Sequence, residues 1–154
     1  MPNEQITELL SELQKSAQQL NEASDSINEI ISSIEKQIID SKVGLERWVR
    51  LNATEPTEVY DYNRNKFIQR EATDVGFAKL EDGWALAVRT VTYETAEGEE
   101  DPVVNYGTPE RLSRAPRALR IDALEKMPDL IKSLTLAATS KLEAIANAKK
   151  LTKK

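Results

Sequence analysis

The chain has 154 residues, a formal net charge of −5 and 31% charged side chains, and it contains neither cysteine nor histidine. These two absences exclude disulfide bonds, thiolate metal sites and thiol nucleophiles, and they remove the most frequent general base of enzymes. The mildly acidic balance argues against bulk electrostatic attraction to nucleic acid or to an anionic membrane surface.

We predict one cooperative unit with three segments, because a chain of this length can bury a single modest core. The segments are an N-terminal helix over 1–43, an antiparallel sheet over 44–108 and C-terminal helices over 109–154. The N-terminus lacks the charged region and apolar run of a signal peptide, and no segment approaches the roughly 18 consecutive apolar residues of a membrane span. We therefore expect a cytoplasmic protein without a membrane partner.

The first predicted element is a long amphipathic helix from Asn3 to Val43, ended by Gly44. Apolar positions recur along it in alternating steps of four and three, the heptad pattern of a coiled coil or helical bundle. Further apolar side chains widen this stripe, which favours three or more helices over a two-stranded coil. The heptad positions are Ile6, Leu10, Leu13, Ala17, Leu20, Ser24, Ile27, Ile31, Ile34 and Ile38.

The heptad stripe is a predicted site of contact with a partner. An apolar stripe in the C-terminal segment is only about half as long, so we expect part of the N-terminal stripe to remain uncovered within one chain. A homo-oligomer or a helical protein partner would cover it. The residues predicted to make this contact are Leu10, Leu13, Leu20, Ile27, Ile31, Ile34 and Ile38.

The middle of the chain changes to an alternation of period two, which predicts strands. A strand is expected over 45–51, a loop over 52–57, and a turn near 63–66. The strongest signal is Asp82-Gly83 between two alternating runs, which predicts a β-hairpin with a type I′ turn. In that register Phe77 lies opposite Val88, with Trp84 on the same face.

Helix is predicted to return near Pro116, with Ser113 as its cap, and Pro128 is expected to break it before a second helix opens at Asp129. We expect these C-terminal helices to pack antiparallel to the first helix. The predicted fold class is therefore α+β, with a small antiparallel sheet between a long N-terminal helix and the C-terminal helices.

Two basic groups are candidate anion or nucleic-acid sites. Arg111, Arg114, Arg117 and Arg120 precede or begin a helix, where phosphate is readily bound. Spacing by three does not keep four residues on one helical face, so solvated charge, or pairing with Asp122, Glu125 or carboxylates of the sheet, is the favoured interpretation. The second group interleaves with aromatic residues that could stack on bases, although packing at a hairpin tip is favoured. It consists of Arg64, Lys66 and Arg70.

Two other features have weak functional interpretations. The carboxylates over 97–101 could bind a hard cation such as calcium, but they lack the ligand spacing of a calcium loop, and a hydrated acidic turn is favoured. Trp48 and Trp84 could line a ligand pocket, but they are better explained as anchors of the core.

No catalytic motif stands in its required strand–helix context, so we expect no enzymatic activity, no metal and no cofactor. The sequence favours a non-catalytic interaction or scaffold protein that assembles through its N-terminal helical stripe. A nucleic-acid accessory factor using the two basic groups is an alternative hypothesis, and a small-molecule-responsive module with a pocket near Trp84 is another.

Overall fold

The computed structural model describes residues 2–153, and this part of the chain has the predicted α+β architecture. A long N-terminal helix is followed by an antiparallel sheet and then by two C-terminal helices. The helices are α1 (Pro2–Asp40), α2 (Arg117–Glu125) and α3 (Met127–Thr152). The strands are β1 (Arg47–Ala53), β2 (Thr57–Tyr60), β3 (Lys66–Leu80), β4 (Gly83–Ala96), β5 (Val103–Tyr106) and β6 (Glu110–Arg111).

The sheet is built on one long hairpin formed by β3 and β4. The short strands β1 and β2 pair one after the other with the outer edge of β3. In the same way β5 and β6 pair in succession with the outer edge of β4. The hairpin is therefore the central ribbon, and its two neighbours are each made from two separate pieces of chain.

The β3–β4 hairpin forms at the predicted place, but the predicted register is wrong by two residues. Phe77 lies opposite Leu86 and not Val88, and the last pair before the turn is Leu80 with Gly83. A type I′ turn needs positive φ at both central residues, whereas here only Gly83, with φ of +124°, has it. Because the shift is an even number of residues, each side chain keeps the face that the alternation predicted.

The core lies on one face of the sheet, beneath the C-terminal half of α1 and the start of α3. Alternate residues of β3 and β4 project into it, because successive side chains of a strand point to opposite faces. Helical side chains cover them from above. The buried core includes Val75, Phe77, Leu86 and Val88 of the sheet with Ile31, Ile38, Leu112, Ala123, Met127, Leu130 and Leu134.

Two predicted helix signals are wrong, and the predicted break near Pro128 is confirmed but falls earlier, at Lys126 between α2 and α3. α1 ends at Asp40, three residues earlier than expected, because Lys42 already adopts a positive φ of 55° before Gly44. Ser113 does not cap α2, whose N-cap position is Pro116 without a side-chain hydrogen bond. Pro128 lies in the first turn of α3, where its missing N–H leaves no helical hydrogen bond unmade.

Helix α3 lies chiefly against β1 and β3, whereas α1 contacts β4, α2 and the 3-10 turn at Leu112–Arg114. The antiparallel direction of the C-terminal helices relative to α1 stays a prediction. None of the helices within residues 2–153 has a long enough apolar stretch to cross a bilayer.

Candidate interaction surface

The apolar stripe of α1 is divided into a buried half and an exposed half. Ile31 and Ile38 lie in the core of their own chain, with 1% and 8% of their surface exposed. Ile27 and Ile34 are partly buried against the same core. Four of the seven predicted partner-contact positions are therefore occupied by intramolecular packing. The remaining three are exposed, and these are Leu10, Leu13 and Leu20.

The N-terminal half of α1 projects beyond the sheet, and every side chain from Asn3 to Ala23 is exposed. Large aliphatic side chains nevertheless keep their heptad positions on one face of this segment. Monomeric proteins rarely leave a continuous apolar stripe of this kind in water. Ile6, Leu9, Leu10, Leu13 and Leu20 have between 43% and 61% of their surface exposed. We call this set the α1 stripe.

Helix α3 repeats the same division in the opposite order along the chain. Leu130 and Leu134, near its start, are buried, whereas every residue from Thr139 to Thr152 is exposed. The face that carries Leu134 continues outward to Leu142 and Ile145, which are 66% and 53% exposed. These two exposed residues are called the α3 stripe. The structure thus leaves both helices with apolar surface at the end that extends away from the core.

An apolar groove lies where the buried ends of the two helices meet. It has a volume of about 570 Å³ and is open to solvent. Its walls are aliphatic side chains from the last turns of α1, from Val43 after it, and from the first half of α3. The apolar residues lining it are Ile34, Ile38, Val43, Ile131, Leu134 and Ala138.

Polar contacts fix α1 on the sheet beside this groove. Glu35 Oε2 accepts a hydrogen bond from the backbone N–H of Leu86 at 3.4 Å, and its Oε1 lies 3.4 Å from Nη1 of Arg111. Arg111 Nη2 also lies 2.7 Å from Oδ2 of Asp82 in the hairpin turn. The hydrogen bond from Arg111 lowers the pKa of Asp82, and the same bond raises the pKa of Arg111. One guanidinium therefore links α1, the hairpin turn and β6.

The other three arginines of this series do not join Arg111 in a shared anion site. Arg117 donates to Asn21 Oδ1 at 2.7 Å, and Arg120 donates to the side chain of Asn28. These bonds connect α2 to α1, and their acceptors are amides of α1 instead of the Asp122 and Glu125 carboxylates expected from the sequence. Arg114 lines an open groove together with the hairpin turn. Arg117 and Arg120 therefore hold α2 to α1, whereas Arg111 holds α1 to the hairpin turn.

The second basic group is also dispersed. Lys66 lies 3.0 Å from Glu58 across the β2–β3 pair, and this hydrogen bond raises the pKa of Lys66. Arg70 donates from Nε to the carbonyl of Thr54 at 3.1 Å. Arg64 lies in the β2–β3 turn with φ of +62°.

An arginine–aromatic cluster lies on the sheet face opposite the core, and it was not foreseen from the sequence. The buried carboxylate of Asp74 accepts from Arg50 Nε at 2.7 Å and from Arg89 Nε at 3.2 Å. The guanidinium of Arg89 lies 4.2 Å from the ring centroid of Trp48 and 4.3 Å from that of Tyr106. The two guanidinium groups pair with the Asp74 carboxylate, and the guanidinium of Arg89 also lies against two aromatic rings. The cluster therefore covers this side of the sheet with side chains whose charges are already paired.

The remaining candidates have ordinary structural positions. The acidic residues over 97–101 are exposed in the β4–β5 turn. Within residues 2–153 no group of three or more acidic side chains is arranged to hold a metal ion. The ring of Trp84 stacks on Phe77 with centroids 5.2 Å apart, so its inner face is occupied by core packing.

Comparison with protein-family models, with curated proteins and with solved structures found no match for this chain. Function is therefore inferred from the chemistry of the surfaces themselves. The α1 stripe and the α3 stripe are two surfaces whose apolar side chains are not covered by packing within residues 2–153.

Proposed function

We propose that this chain is a non-catalytic interaction or scaffold protein that self-associates through the exposed half of α1. The observation that carries the proposal is the α1 stripe, which presents five large aliphatic side chains on one helical face while being 43–61% exposed. Four of its members, Ile6, Leu10, Leu13 and Leu20, have the heptad spacing by which helices pack against one another, and Leu9 widens the same face.

Energetics support burial of this stripe in an assembly. Covering the exposed part of each of its five side chains contributes about 1 kcal/mol, or on the order of 5 kcal/mol per copy before ordering entropy is subtracted. The helix itself is already ordered by its attachment to the core through Ile31 and Ile38. Less conformational entropy is therefore lost on association than if a disordered segment had to fold.

Sedimentation equilibrium of the full chain tests the proposal. We expect a dimer or larger species that dissociates in a variant carrying Leu13→Asp and Leu20→Asp, because each substitution places a charge within the covered stripe. The matched control carries Ser11→Asp and Gln18→Asp. These substitutions add the same charge to the same exposed segment of α1, but on the face opposite the stripe. We expect this control to associate at least as tightly as the parent chain does.

Circular dichroism of each variant verifies that the helices remain folded. A parent chain that stays monomeric at high micromolar concentration with full helicity would overturn self-association. Equal loss of association in the stripe variant and the control variant would show that added charge, and not the apolar stripe, was responsible.

A further inference from the structure

We propose, on the basis of the proposed self-association, that the α1 stripe of one copy packs against the α3 stripe of a second copy. The two copies exchange these contacts reciprocally, so that each α1 covers the partner's α3. The occupant of each stripe is therefore a second copy of this chain, and the contact is between unlike helices.

Charge distinguishes the two exposed helix ends. The exposed segment 3–23 of α1 carries four glutamates and one lysine, a net charge of −3. The segment 139–153, made of the end of α3 and the residue after it, carries four lysines and one glutamate, a net charge of +3. None of these side chains takes part in the ion pairs found within residues 2–153. The acidic residues are Glu4, Glu8, Glu12 and Glu22, and the basic residues are Lys141, Lys149, Lys150 and Lys153.

Three pairings between copies are conceivable, and only one brings opposite charges together. Two α1 ends would place −3 against −3, and two α3 ends would place +3 against +3. An α1 end against an α3 end places −3 against +3. Helices in contact have axes only 8–10 Å apart, which is about one Debye length at physiological ionic strength. Lys141 and Lys149 lie four residues before and four after Ile145, on the same face of α3 as the α3 stripe. The glutamates lie on the other faces of α1, so their attraction to these lysines is longer in range and is partly screened by salt.

Helix geometry favours an antiparallel arrangement in this contact. The exposed end of α1 is its N-terminus and the exposed end of α3 is its C-terminus, so antiparallel packing pairs opposite ends of the two helix dipoles. It also places Glu4, Glu8 and Glu12 near Lys149, Lys150 and Lys153. The exposed segments are about 31 Å and about 20 Å long at ~1.5 Å per residue, so α1 is long enough to cover all of the exposed part of α3.

A two-fold axis closes the assembly. Because each copy offers both an α1 end and an α3 end, one rotation forms two equivalent contacts and leaves no α3 stripe open for further growth. In this closed dimer both α3 stripes and the outer part of both α1 stripes are covered, whereas a dimer through α1 alone would leave both α3 stripes in water.

Charge reversal in the full chain tests the pairing. One variant carries Glu4→Lys, Glu8→Lys and Glu12→Lys, and the other carries Lys149→Glu, Lys150→Glu and Lys153→Glu. Each variant alone brings like charges together in both contacts, so we expect its dimer dissociation constant to rise by on the order of tenfold or more at low salt. In an equal mixture both contacts regain opposite charges, and we expect heterodimers to form with the affinity of the parent chain.

Salt provides a second readout that does not depend on variants. Attraction between α1 and α3 is screened as salt rises, so dimerisation of the parent chain is expected to weaken. A dimer through two acidic α1 ends would instead strengthen, because salt would screen its repulsion.

The outcomes separate this inference from the proposed function. A dimer whose affinity is unchanged by reversal of the α3 lysines, or one that strengthens with salt, would overturn the α1–α3 pairing while leaving self-association intact. A parent chain that is monomeric at every salt concentration would overturn both. Restoration of dimers in the mixture, with each variant impaired alone, would establish the unlike pairing.

Discussion

The indole ring of Trp48 packs so closely on Gly76 that a Cβ at residue 76 would lie 2.5 Å from ring atom Cε3, and it would also clash with the backbone carbonyl oxygen of Arg47. The two residues are direct neighbours across the β1–β3 pair. Because Gly76 does not have positive φ, glycine is required here for space and not for backbone conformation. The absent side chain allows the ring to lie flat on the sheet, where it meets the guanidinium of Arg89.

We expect Gly76→Ala to destabilise the folded chain by about 2 kcal/mol, the usual range for an atom forced into a filled site. Urea unfolding measures the loss. The same substitution in a Trp48→Ala background is expected to have a smaller but still clear effect, since the ring has been removed while the clash with the Arg47 carbonyl oxygen remains. An equal effect in both backgrounds would show that the β1 backbone, and not the indole, sets the limit.

Neutralising Asp74 is expected to disrupt the cluster on the sheet face opposite the core. Asp74→Asn preserves the side-chain shape but removes the charge that pairs with Arg50 and Arg89, so we expect a loss of about 2–3 kcal/mol in unfolding free energy. Asp101→Asn, in the exposed acidic turn, is the control and should change stability by less than about 0.5 kcal/mol. Similar effects of the two substitutions would contradict a structural role for the Asp74 pair.

The two halves of the α1 heptad are expected to respond differently to the same kind of truncation. Ile31→Ala removes a core side chain and should lower the unfolding free energy by about 2–5 kcal/mol. Leu13→Ala removes an exposed side chain, so the folding of an isolated copy should be affected by less than about 0.5 kcal/mol, while dimerisation is weakened. Denaturant unfolding at low protein concentration, combined with sedimentation, separates these effects. A large concentration-independent loss in Leu13→Ala would mean that this residue is covered within its own chain.

The Asp82–Arg111 pair predicts a specific dependence of stability on acid. The pKa of Asp82 in the folded chain is lower than its ordinary value of 3.8 because Arg111 donates to its carboxylate. A carboxylate with a lowered pKa contributes stability above its ordinary pKa and loses that contribution as the pH falls through the lower, folded value. The parent chain should therefore be more stable than Asp82→Asn above about pH 5, and the difference should vanish in stronger acid.

Glu81→Gln is the matched control for this pH experiment, because it removes a charge from the same turn without touching Arg111. We expect the difference between this control and the parent chain to show no comparable acid dependence. A difference between the parent chain and Asp82→Asn that stays constant through the acid range would contradict the linkage. Thermal unfolding followed at several pH values supplies the measurement.

Much of the secondary structure follows from local pattern. The helical stripe of α1 persists for ten heptad positions, and Asp82-Gly83 lies between alternating runs, so both elements were predictable from periodicity and turn chemistry. The register of the hairpin could not be predicted in this way, because it depends on the φ angles that Glu81 and Asp82 adopt in the folded chain. Both remain negative, and the turn is consequently displaced by one residue toward the N-terminus.

The division of the α1 stripe could not be predicted, because its two halves carry the same kind of side chain. Leu13 and Ile31 occupy equivalent faces of one helix, and only the position of the sheet beneath the helix makes one exposed and the other buried. The sheet contacts are long-range, and no local signal in α1 marks where they begin. The thinning of the stripe at Ala17 and Ser24 coincides with this boundary and was the nearest available indication.

The arginine–aromatic cluster was missed for a related reason. Arg50, Asp74 and Arg89 come from three strands and meet only when the register of both strand pairs is known. In the sequence, each reads as an ordinary charge at a strand position. A useful signal would have been the run of small residues on the same face, which leaves room for large side chains to fold over the sheet.

Ile31 lies in one core cluster with Leu112, Met127 and Leu130, and this has a consequence for synthesis of the chain on the ribosome. Helix α1 is translated before the sheet and the C-terminal helices, so its docking site is complete only after residues nearly a hundred positions later have left the exit tunnel. Throughout that interval the nascent helix carries all of its aliphatic positions unshielded. Nascent chains on two neighbouring ribosomes of one messenger RNA would thus expose this apolar helix to each other before synthesis of either chain is complete.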